Sequence, residues 1–317
     1  MTVTFRRALR EKVPLLIGLA GGTGSGKTFS AMRIAKGIVA ETGKRFAVLD
    51  TEAGRARHYA DQFEFDHGDL APPFTPERYA DAIGAADKAG YPVVVVDSVS
   101  HVWAGDGGCL DMQEAEFERM GSREAGRMAS WIKPKIQHKR MVAKLLQLRA
   151  HVILCFRAEP KVEMTRDDKG KMQVVAKTGL TGIEGWFPIC EKMLPYELTI
   201  SLLLLAQKPG VPLPIKLQQQ HRSIVSLSEP LAESVGAGLA GWAAGGAPPV
   251  SGVTASPANT ATVAKIETKE ADSLRDAIIS ADVIQAFREH FKVLQTADLT
   301  PEQTILAWEW LNELRKT

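Results

Sequence analysis

The sequence predicts an α/β fold in which a mostly parallel central sheet is covered by helices. Two observations support this prediction. Short apolar runs alternate with segments of helical period between residues 15 and 206, a pattern typical of strand–helix–strand units in a parallel sheet. One of these runs is a stretch of four valines, 93–96, and consecutive β-branched residues favour a strand over a helix.

A glycine-rich loop after the first predicted strand, 15–20, is the clearest functional feature. The loop precedes a helix predicted over 27–41 and fits the pattern G-x-x-x-x-G-K-[ST] from Gly21 to Thr28. In such loops backbone N–H groups surround phosphate oxygens, the lysine contacts the β- and γ-phosphates, and the final hydroxyl binds Mg²⁺. ATP and Mg²⁺ are therefore the expected ligands. The predicted nucleotide-binding residues are Gly21, Gly22, Thr23, Gly24, Ser25, Gly26, Lys27, Thr28 and Phe29.

Asp97 is the predicted second ligand for the metal. It follows the four valines directly, and ligands of open parallel sheets bind beyond the carboxyl ends of the strands. A carboxylate at this point can hold Mg²⁺ opposite Thr28. The alternative is an aspartate that caps the turn after its own strand.

Glu52 is the candidate for activating the attacking water. Hydrolysis needs a group that orients or deprotonates water, and Ser98 rather than a glutamate follows Asp97. Glu52 ends the strand that comes after the first helix, so we expect it at the same sheet edge as the phosphate loop. The alternative is a surface glutamate that pairs with Arg55 or Arg57.

Together these segments resemble the RecA-type ATPase core. The similarity rests on the loop at 21–28, on Leu-Asp-Thr-Glu at 49–52 and on Val-Val-Asp-Ser at 95–98, and it extends over residues 13–230. The chain is more closely similar to phage-encoded RecA-like nucleotide-binding proteins, some of which are linked to single-strand annealing and recombination. The resemblance implies a RecA-like P-loop NTPase core, ATP hydrolysis with Lys27 and Glu52 as catalytic residues, single-stranded DNA as a partner and assembly into homo-oligomers.

In the RecA-like family the strand after the metal-binding aspartate ends in a glutamine that senses the γ-phosphate. The corresponding strand here, 151–156, is followed by Arg157, Ala158 and Glu159. The resemblance therefore makes Arg157 the candidate γ-phosphate sensor. An arginine that pairs with Glu159 or with another acid is the alternative.

Two segments, 104–130 and 158–188, correspond to the loops through which the family binds single-stranded DNA. The second is rich in basic residues and ends in Trp186 and Phe187, so charge and stacking surfaces are both available to a single strand. The alternatives are a solvated loop of mixed charge and a basic helix predicted over 131–149. The candidate DNA-binding residues are Lys161, Arg166, Lys169, Lys171 and Lys177.

Two other function classes remain open at this point. A P-loop kinase of a small molecule would carry an arginine-rich lid, and the segment 157–166 has arginines at both ends. A nucleotide-dependent loader or packaging factor would instead act through a protein partner. The position of Glu52 and the pair Asp97-Ser98 favour the ATPase.

Composition provides no global argument for a nucleic acid or a membrane partner. The formal net charge is +2 across 317 residues, and the three cysteines form no metal or disulfide pattern, which suits a reducing cytoplasm. The apolar run at 198–206 is too short to span a bilayer. We expect a cytoplasmic location, in the host cell if the chain is phage-encoded, and no membrane partner.

The domain organisation is predicted from composition. An ATPase domain is expected over 1–242. A flexible linker is expected over 243–264, where small residues dominate and no charged residue occurs. A small helical module is expected over 265–317, with one helix at 282–294 and a second from residue 300. This module is a candidate for docking on a protein partner.

The remaining predicted elements follow from local patterns. A helix should begin at Thr75, with Pro76 in its first turn, and the segment 103–126 should be a loop with a short helix. The helix over 131–149 should bury a stripe formed by Ile136, Val142, Leu145 and Leu146. Short strands are predicted at 3–7, 45–50, 63–65, 172–176, 197–206, 215–217 and 224–225.

Overall fold

The computed structural model describes residues 13–166, 171–177 and 185–245, together with positions 307 and 310. Internal contacts divide the chain into two units, Met1–Pro249 and Val250–Thr317, and the first unit contains the central sheet. The edge strand predicted at 3–7 lies outside the described residues. So do most of the linker predicted at 243–264 and almost all of the helical module predicted at 265–317.

The strands of the first unit form one large sheet and a separate hairpin. The sheet has the order β10-β9-β1-β5-β4-β2-β3, with parallel pairing from β9 to β3 and β10 antiparallel to β9. In chain order the strands are β1 (Leu16–Gly21), β2 (Phe46–Asp50), β3 (Phe65–Asp69), β4 (Val93–Asp97), β5 (His151–Pro160), β6 (Val162–Arg166), β7 (Met172–Ala176), β8 (Trp186–Pro188), β9 (Ile200–Leu204) and β10 (Pro212–Lys216).

Helices cover both faces of the sheet, each over its own apolar core. Helices α1 and α9 pack together on one face, and α2 and α6 pack together on the other. The helices are α1 (Lys27–Val39), α2 (Pro76–Lys88), α3 (His101–Ala104), α4 (Cys109–Arg119), α5 (Arg127–Ser130), α6 (Ile132–Leu145), α7 (Leu194–Glu197), α8 (Gln219–Arg222) and α9 (Glu233–Ala243). In the part of the chain that the structure describes, none of them is long and apolar enough to cross a membrane.

The sheet confirms the predicted α/β fold, and it is the arrangement of a RecA-like P-loop NTPase. Strand β5 lies between β1 and β4, and β4 pairs with β2. In this register Gly21 is opposite Arg157, and Asp50 is opposite Asp97. The carboxyl ends of β1, β4 and β2, and the point where β5 leaves the sheet, therefore meet at one edge.

Several local predictions are confirmed at the level of single residues. Helix α2 begins after Thr75, whose hydroxyl accepts a hydrogen bond from the Arg78 N–H at 3.4 Å, and Pro76 occupies its first position. The strand predicted at 172–176 is β7, and it pairs with β6 in an antiparallel hairpin.

Two predicted strands are wrong in position or in kind. The strand predicted at 63–65 is β3 at Phe65–Asp69, because Phe63 instead closes a turn with its N–H on the carbonyl of Tyr59. The strand predicted at 224–225 is a turn after α8, in which the N–H groups of both residues bond to the carbonyl of His221. Apolar side chains at 224–225 serve burial there rather than sheet pairing.

The region predicted as a loop with a short helix, 103–126, is more helical than expected. It contains the end of α3 and the 11 residues of α4. The predicted apolar stripe of α6 is wrong in two of its members, since Ile136 and Leu146 are exposed. The buried face of α6 consists of Pro134, His138, Met141, Val142 and Leu145.

Helices α1 and α9 cross at two glycines. A Cβ on Gly37 would lie 1.9 Å from the carbonyl oxygen of Glu233, and a Cβ on Gly236 would lie 2.0 Å from that of Ile34. The backbones therefore approach closely enough to exclude any side chain at these two positions. Arg33 of α1 also pairs with the Glu233 carboxylate at 2.7 Å.

The substitution Gly37→Ala should lower the free energy of unfolding by about 1–3 kcal/mol, because the added methyl group forces the two helices apart. Gly84→Ala is the matched control. Nothing lies within 4 Å of a Cβ at Gly84 in helix α2, so alanine there should raise stability by about 0.5–1 kcal/mol. Urea unfolding of the two variants measures both effects. Equal stability of the two would contradict the close helix crossing.

Candidate functional site

The phosphate loop joins the end of β1 at Gly21 to the start of α1 at Lys27. Gly26 has φ +82°, a left-handed conformation that glycine adopts without strain. A Cβ on Gly21 would lie 2.4 Å from the carbonyl oxygen of Leu204, so the loop also depends on the absence of a side chain there. These two positions let the chain turn sharply from the sheet into the helix.

Two side chains hold the loop in shape from inside. The Ser25 hydroxyl is buried and donates to the carbonyl of Gly22 at 2.8 Å, and the Lys27 ammonium donates to the same carbonyl at 2.9 Å. The Lys27 charge therefore lies over the loop, at the start of a helix whose dipole adds positive potential. A phosphate group in the loop would meet backbone N–H groups and an ammonium together.

A cleft of about 680 Å³ opens beside the loop, a volume within the range of small-molecule sites. It joins the phosphate loop to both predicted acidic residues. The lining residues are Gly21, Gly22, Thr23, Gly24, Lys27, Thr28, Glu52, Arg55, His58, Tyr59, Asp97, Arg157, Ala158 and Ile189.

Thr28 and Asp97 lie side by side in the cleft. The Thr28 hydroxyl donates to the Asp97 carboxylate at 2.5 Å. Burial raises the pKa of the Asp97 carboxyl, and the hydrogen bond from Thr28 opposes that rise. A hydroxyl and a carboxylate beside a phosphate pocket are oxygen ligands of the kind that Mg²⁺ takes while it keeps phosphate and water oxygens. The residues therefore fit a magnesium ion.

Glu52 lies at the same edge, held by two arginines. Its Oε1 accepts from the Arg157 Nη2 at 2.8 Å and from the Arg157 Nε at 3.0 Å, and its Oε2 accepts from the Arg55 Nη1 at 3.1 Å. The Glu52–Arg55 pair is the alternative that the sequence left open for Glu52. Arg157 also pairs with an acid, but the acid is Glu52, since Glu159 pairs with Lys161.

Three members of the predicted nucleotide-binding set do not line the cleft. Ser25 is turned into the loop, and Gly26 makes the turn behind it. Phe29 belongs to an aromatic group, with ring centroids 6.1 Å from Tyr59 and 5.5 Å from Phe63. Phe29 therefore packs against Tyr59, one of the residues that line the cleft.

The far wall of the cleft was missed by sequence reasoning. It is the 3-10 helix Arg55–Tyr59, from which Arg55, His58 and Tyr59 reach the cleft. A histidine and a tyrosine here offer a flat surface against which a nucleobase can stack. The available signal was the pair His58 and Tyr59 a few residues after Glu52. The same pair would suit an ordinary surface helix, so the sequence alone did not identify it as part of a site.

The predicted DNA-binding residues lie on and around the β6–β7 hairpin. Lys161 and Lys177 flank Phe187, with their ammonium groups 5.8 and 6.0 Å from the ring centroid. Lys169 lies outside the described residues. The exposed basic residues that the structure describes here are Lys161, Arg166, Lys171 and Lys177.

One face of the hairpin is apolar and exposed. Side chains two apart on a strand share a face, and Met164 lies opposite Val174 in the register. The exposed apolar residues are Val162, Met164, Met172 and Val174. The hairpin starts where β5 leaves the cleft, and a Cβ on Gly22 of the phosphate loop would lie 3.1 Å from Trp186 of β8. Trp186, which is opposite Pro160 at the end of β5, is therefore packed beside the phosphate loop.

The phosphate loop, the Thr28–Asp97 pair and the sheet order define a P-loop NTPase. Comparison with protein families is consistent with this: the model of the AAA domain matches residues 14–188, which is more than half of the chain. The protein therefore belongs to the AAA domain family and is a P-loop ATPase.

Among solved structures, the chain is similar to a KaiC-like protein from the hyperthermophilic archaeon Pyrococcus horikoshii. The two are 16% identical, the match covers 58% of this chain and 99% of that chain, and the TM-score is 0.30. No curated protein matches the chain.

Replacing Lys27 with alanine should weaken ATP binding by about 10- to 100-fold, since a hydrogen bond to a charged group contributes about 1.5–3 kcal/mol. Titration of a fluorescent ATP analogue measures the affinity. Lys44→Ala is the control, because Lys44 is an exposed lysine that bonds to the Gly90 carbonyl away from the cleft. Unchanged affinity in Lys27→Ala would contradict the assignment of the loop.

Proposed function

We propose that this protein hydrolyses ATP with the help of Mg²⁺ and that it acts on single-stranded DNA. The observation that carries the first part is the convergence of Lys27, Thr28, Asp97 and Glu52 on one cleft. These residues come from three separate segments of the chain and lie where β1, β4 and β2 end. Such a set suits phosphoryl transfer to water better than it suits simple nucleotide storage.

Each residue has a distinct part in the proposed reaction. Lys27 and the N–H groups of the loop bind the phosphates of ATP, and Thr28 and Asp97 would hold Mg²⁺. Mg²⁺, when bound, neutralises charge on the phosphate oxygens. Glu52 accepts a proton from the water that attacks the γ-phosphorus, and the bond between the γ-phosphorus and its bridging oxygen breaks to leave ADP and phosphate.

In this proposal, the arrangement in which Arg157 and Arg55 bind Glu52 is the resting state before ATP binds. Two donors of Arg157 occupy Oε1 of Glu52, and Arg55 occupies Oε2. Both oxygens of the carboxylate are therefore engaged, and Oε1 accepts two hydrogen bonds, which leaves it no lone pair for water. Arg157 also lines the cleft, so a γ-phosphate can compete with Glu52 for its guanidinium. We therefore propose that Arg157 turns to the γ-phosphate when ATP is bound and frees Glu52.

Substitution of Glu52 by glutamine should lower the rate of ATP hydrolysis by about 10²- to 10⁴-fold, the contribution typical of a general base. ATP affinity should remain within about threefold, because the phosphate loop is unchanged. Steady-state phosphate release and nucleotide titration measure the two quantities. Glu64→Gln, at an exposed position outside the cleft, makes the same charge change and should leave the rate unaltered. Normal turnover in Glu52→Gln would show that another group activates water.

The hairpin supports the proposal of a DNA substrate. Its basic residues provide contacts to phosphates, and Phe187 and the exposed face that includes Met164 and Val174 provide surfaces for unstacked bases. The hairpin continues directly from the strand that carries Arg157. Single-stranded DNA on the hairpin and ATP in the cleft would therefore be linked through one short segment of backbone.

We further propose that the protein works as a homo-oligomer in recombination or replication, the most direct use of an ATPase that binds single strands. The resemblance to phage-encoded RecA-like proteins supports this context. A basic residue of a neighbouring subunit would then complete the charge around the γ-phosphate. The solvated cations of α6, which include Lys135, Lys139 and Arg140, are candidates for that contact.

A loader or packaging factor is the second candidate function, favoured by the exposed apolar face of the hairpin. Val162, Met164, Met172 and Val174 are aliphatic, and a partner protein can cover such a face as well as DNA can. The hypothesis of a small-molecule kinase has less support. Residues 157–166 form the outer part of β5 and strand β6, and Arg157 is paired with Glu52 rather than placed on a lid.

Charge reversal of Lys161, Arg166 and Lys177 to glutamate should weaken binding of a single-stranded oligonucleotide. The slope of log affinity against log salt should also become shallower by about 2, since each phosphate contact to a single strand contributes about 0.7. Fluorescence anisotropy at several salt concentrations measures both effects. ATP turnover with and without the oligonucleotide should show stimulation only in the unsubstituted protein.

The variant for comparison is charge reversal of Lys135, Lys139 and Arg140 on α6, the alternative basic surface, and only its binding of the oligonucleotide is compared. These residues have no ion pair within the described part of the chain, and the change in charge is the same. If only the α6 variant loses binding, the DNA site lies on that helix. Turnover that DNA does not change would favour the protein-partner function.

A further inference from the structure

Asp50 occupies a central position behind the catalytic edge, although no nucleotide-contacting role falls to it. It is the last residue of β2 and is 2% exposed. Its Oδ1 accepts from the backbone N–H of Glu52 at 2.6 Å, and its Oδ2 accepts from the backbone N–H of Ala56 at 2.8 Å. One buried carboxylate therefore holds both ends of the turn that contains Glu52.

The turn between these two hydrogen bonds has an unusual backbone. Ala53 and Gly54 both have positive φ values, +58° and +82°. A non-glycine residue pays a conformational penalty in the left-handed region, so the turn needs support from its surroundings. The two bonds to Asp50 provide that support. One holds Glu52, just before this pair, and the other holds Ala56, two residues after it.

His67 fixes the orientation of the Asp50 carboxylate. The Arg57 Nε donates to the His67 Nδ1 at 3.3 Å, so Nδ1 is the accepting nitrogen of the ring. The other nitrogen, Nε2, therefore carries a proton and donates it to Asp50 Oδ2 at 3.2 Å. His67 lies on the edge strand β3, so this strand supports the site through the hydrogen bond from His67 to Asp50.

We infer that Asp50 is a positioning residue that sets two functional parts of the cleft at once, the water-activating Glu52 and the wall formed by Arg55, His58 and Tyr59. Its bond to Glu52 places the first, and its bond to Ala56 anchors the 3-10 helix that carries the second. This inference rests on the proposed role of Glu52. None of the hydrogen bonds of Asp50 reaches the phosphate loop, so the shape of the loop should not depend on Asp50.

A double-mutant cycle of Asp50→Asn and Glu52→Gln tests the inference. An amide has one accepting oxygen where the carboxylate has two, so Asp50→Asn leaves one of the two backbone N–H groups without its acceptor. The rate of ATP hydrolysis should fall by about 10- to 100-fold. In the Glu52→Gln background the same change should alter the rate at saturating ATP by less than about twofold, because Asp50 acts on kcat through Glu52 and on ATP affinity through the wall.

Binding of inorganic tripolyphosphate separates positioning from general damage to the fold. Tripolyphosphate can occupy the phosphate loop and reach Arg157 without the wall formed by Arg55, His58 and Tyr59, whereas ATP also meets that wall. Asp50→Asn should leave tripolyphosphate affinity within about twofold and should weaken ATP affinity toward that of tripolyphosphate. Loss of tripolyphosphate binding, or rate losses that multiply in the double variant, would overturn the inference.

His67→Leu provides a second variant in case Asp50→Asn does not fold. It removes the donor that orients Asp50, so the rate should fall by about 2- to 10-fold, again only when Glu52 is present. An unchanged rate in His67→Leu would count against the inference. If Glu52→Gln alone hydrolyses ATP normally, the proposed function fails first, and this result is distinct from a loss in Asp50→Asn that does not depend on Glu52.

Discussion

The register of four parallel strands is the constraint on which the site depends. Gly21 is opposite Arg157, Asp97 is opposite Cys155 and Asp50 is opposite Asp97. A shift of one residue in any of these pairs would turn a functional side chain to the other face of the sheet. The apolar cores on the two faces fix this register, and the cleft forms where the strands end together.

The cleft at this sheet edge has two sides of different charge. Lys27 and the phosphate loop form a positive side suited to phosphates, and Asp97 with Thr28 forms a side suited to a cation. Glu52 lies between these groups and Arg157, and its carboxylate is bound by arginines. Behind it, Asp50 holds the turn from the interior of the protein. The turn that carries Glu52 is therefore held by hydrogen bonds from its backbone to Asp50.

Much of this arrangement could be predicted from the sequence because its signals are local. The phosphate loop, Asp97 and the strand before each of them are contiguous patterns. The Glu52–Arg157 pair joins residues 105 apart in sequence, and only the sheet order brings them together. The exposed positions of Ile136 and Leu146 were missed for a related reason: the face that α6 buries is decided by its packing against α2 and α4, not by its own periodicity.

The position of Arg157 in the nucleotide-bound protein is the most direct test of the account. A crystal structure with Mg²⁺, ADP and aluminium fluoride, a mimic of the phosphoryl-transfer state, would show it. We predict that the contact between Arg157 Nη2 and Glu52 Oε1, 2.8 Å here, opens beyond about 3.5 Å, the limit for a hydrogen bond, and that Glu52 contacts the attacking water. A Glu52–Arg157 pair that stays closed in that complex would contradict the role proposed for Glu52.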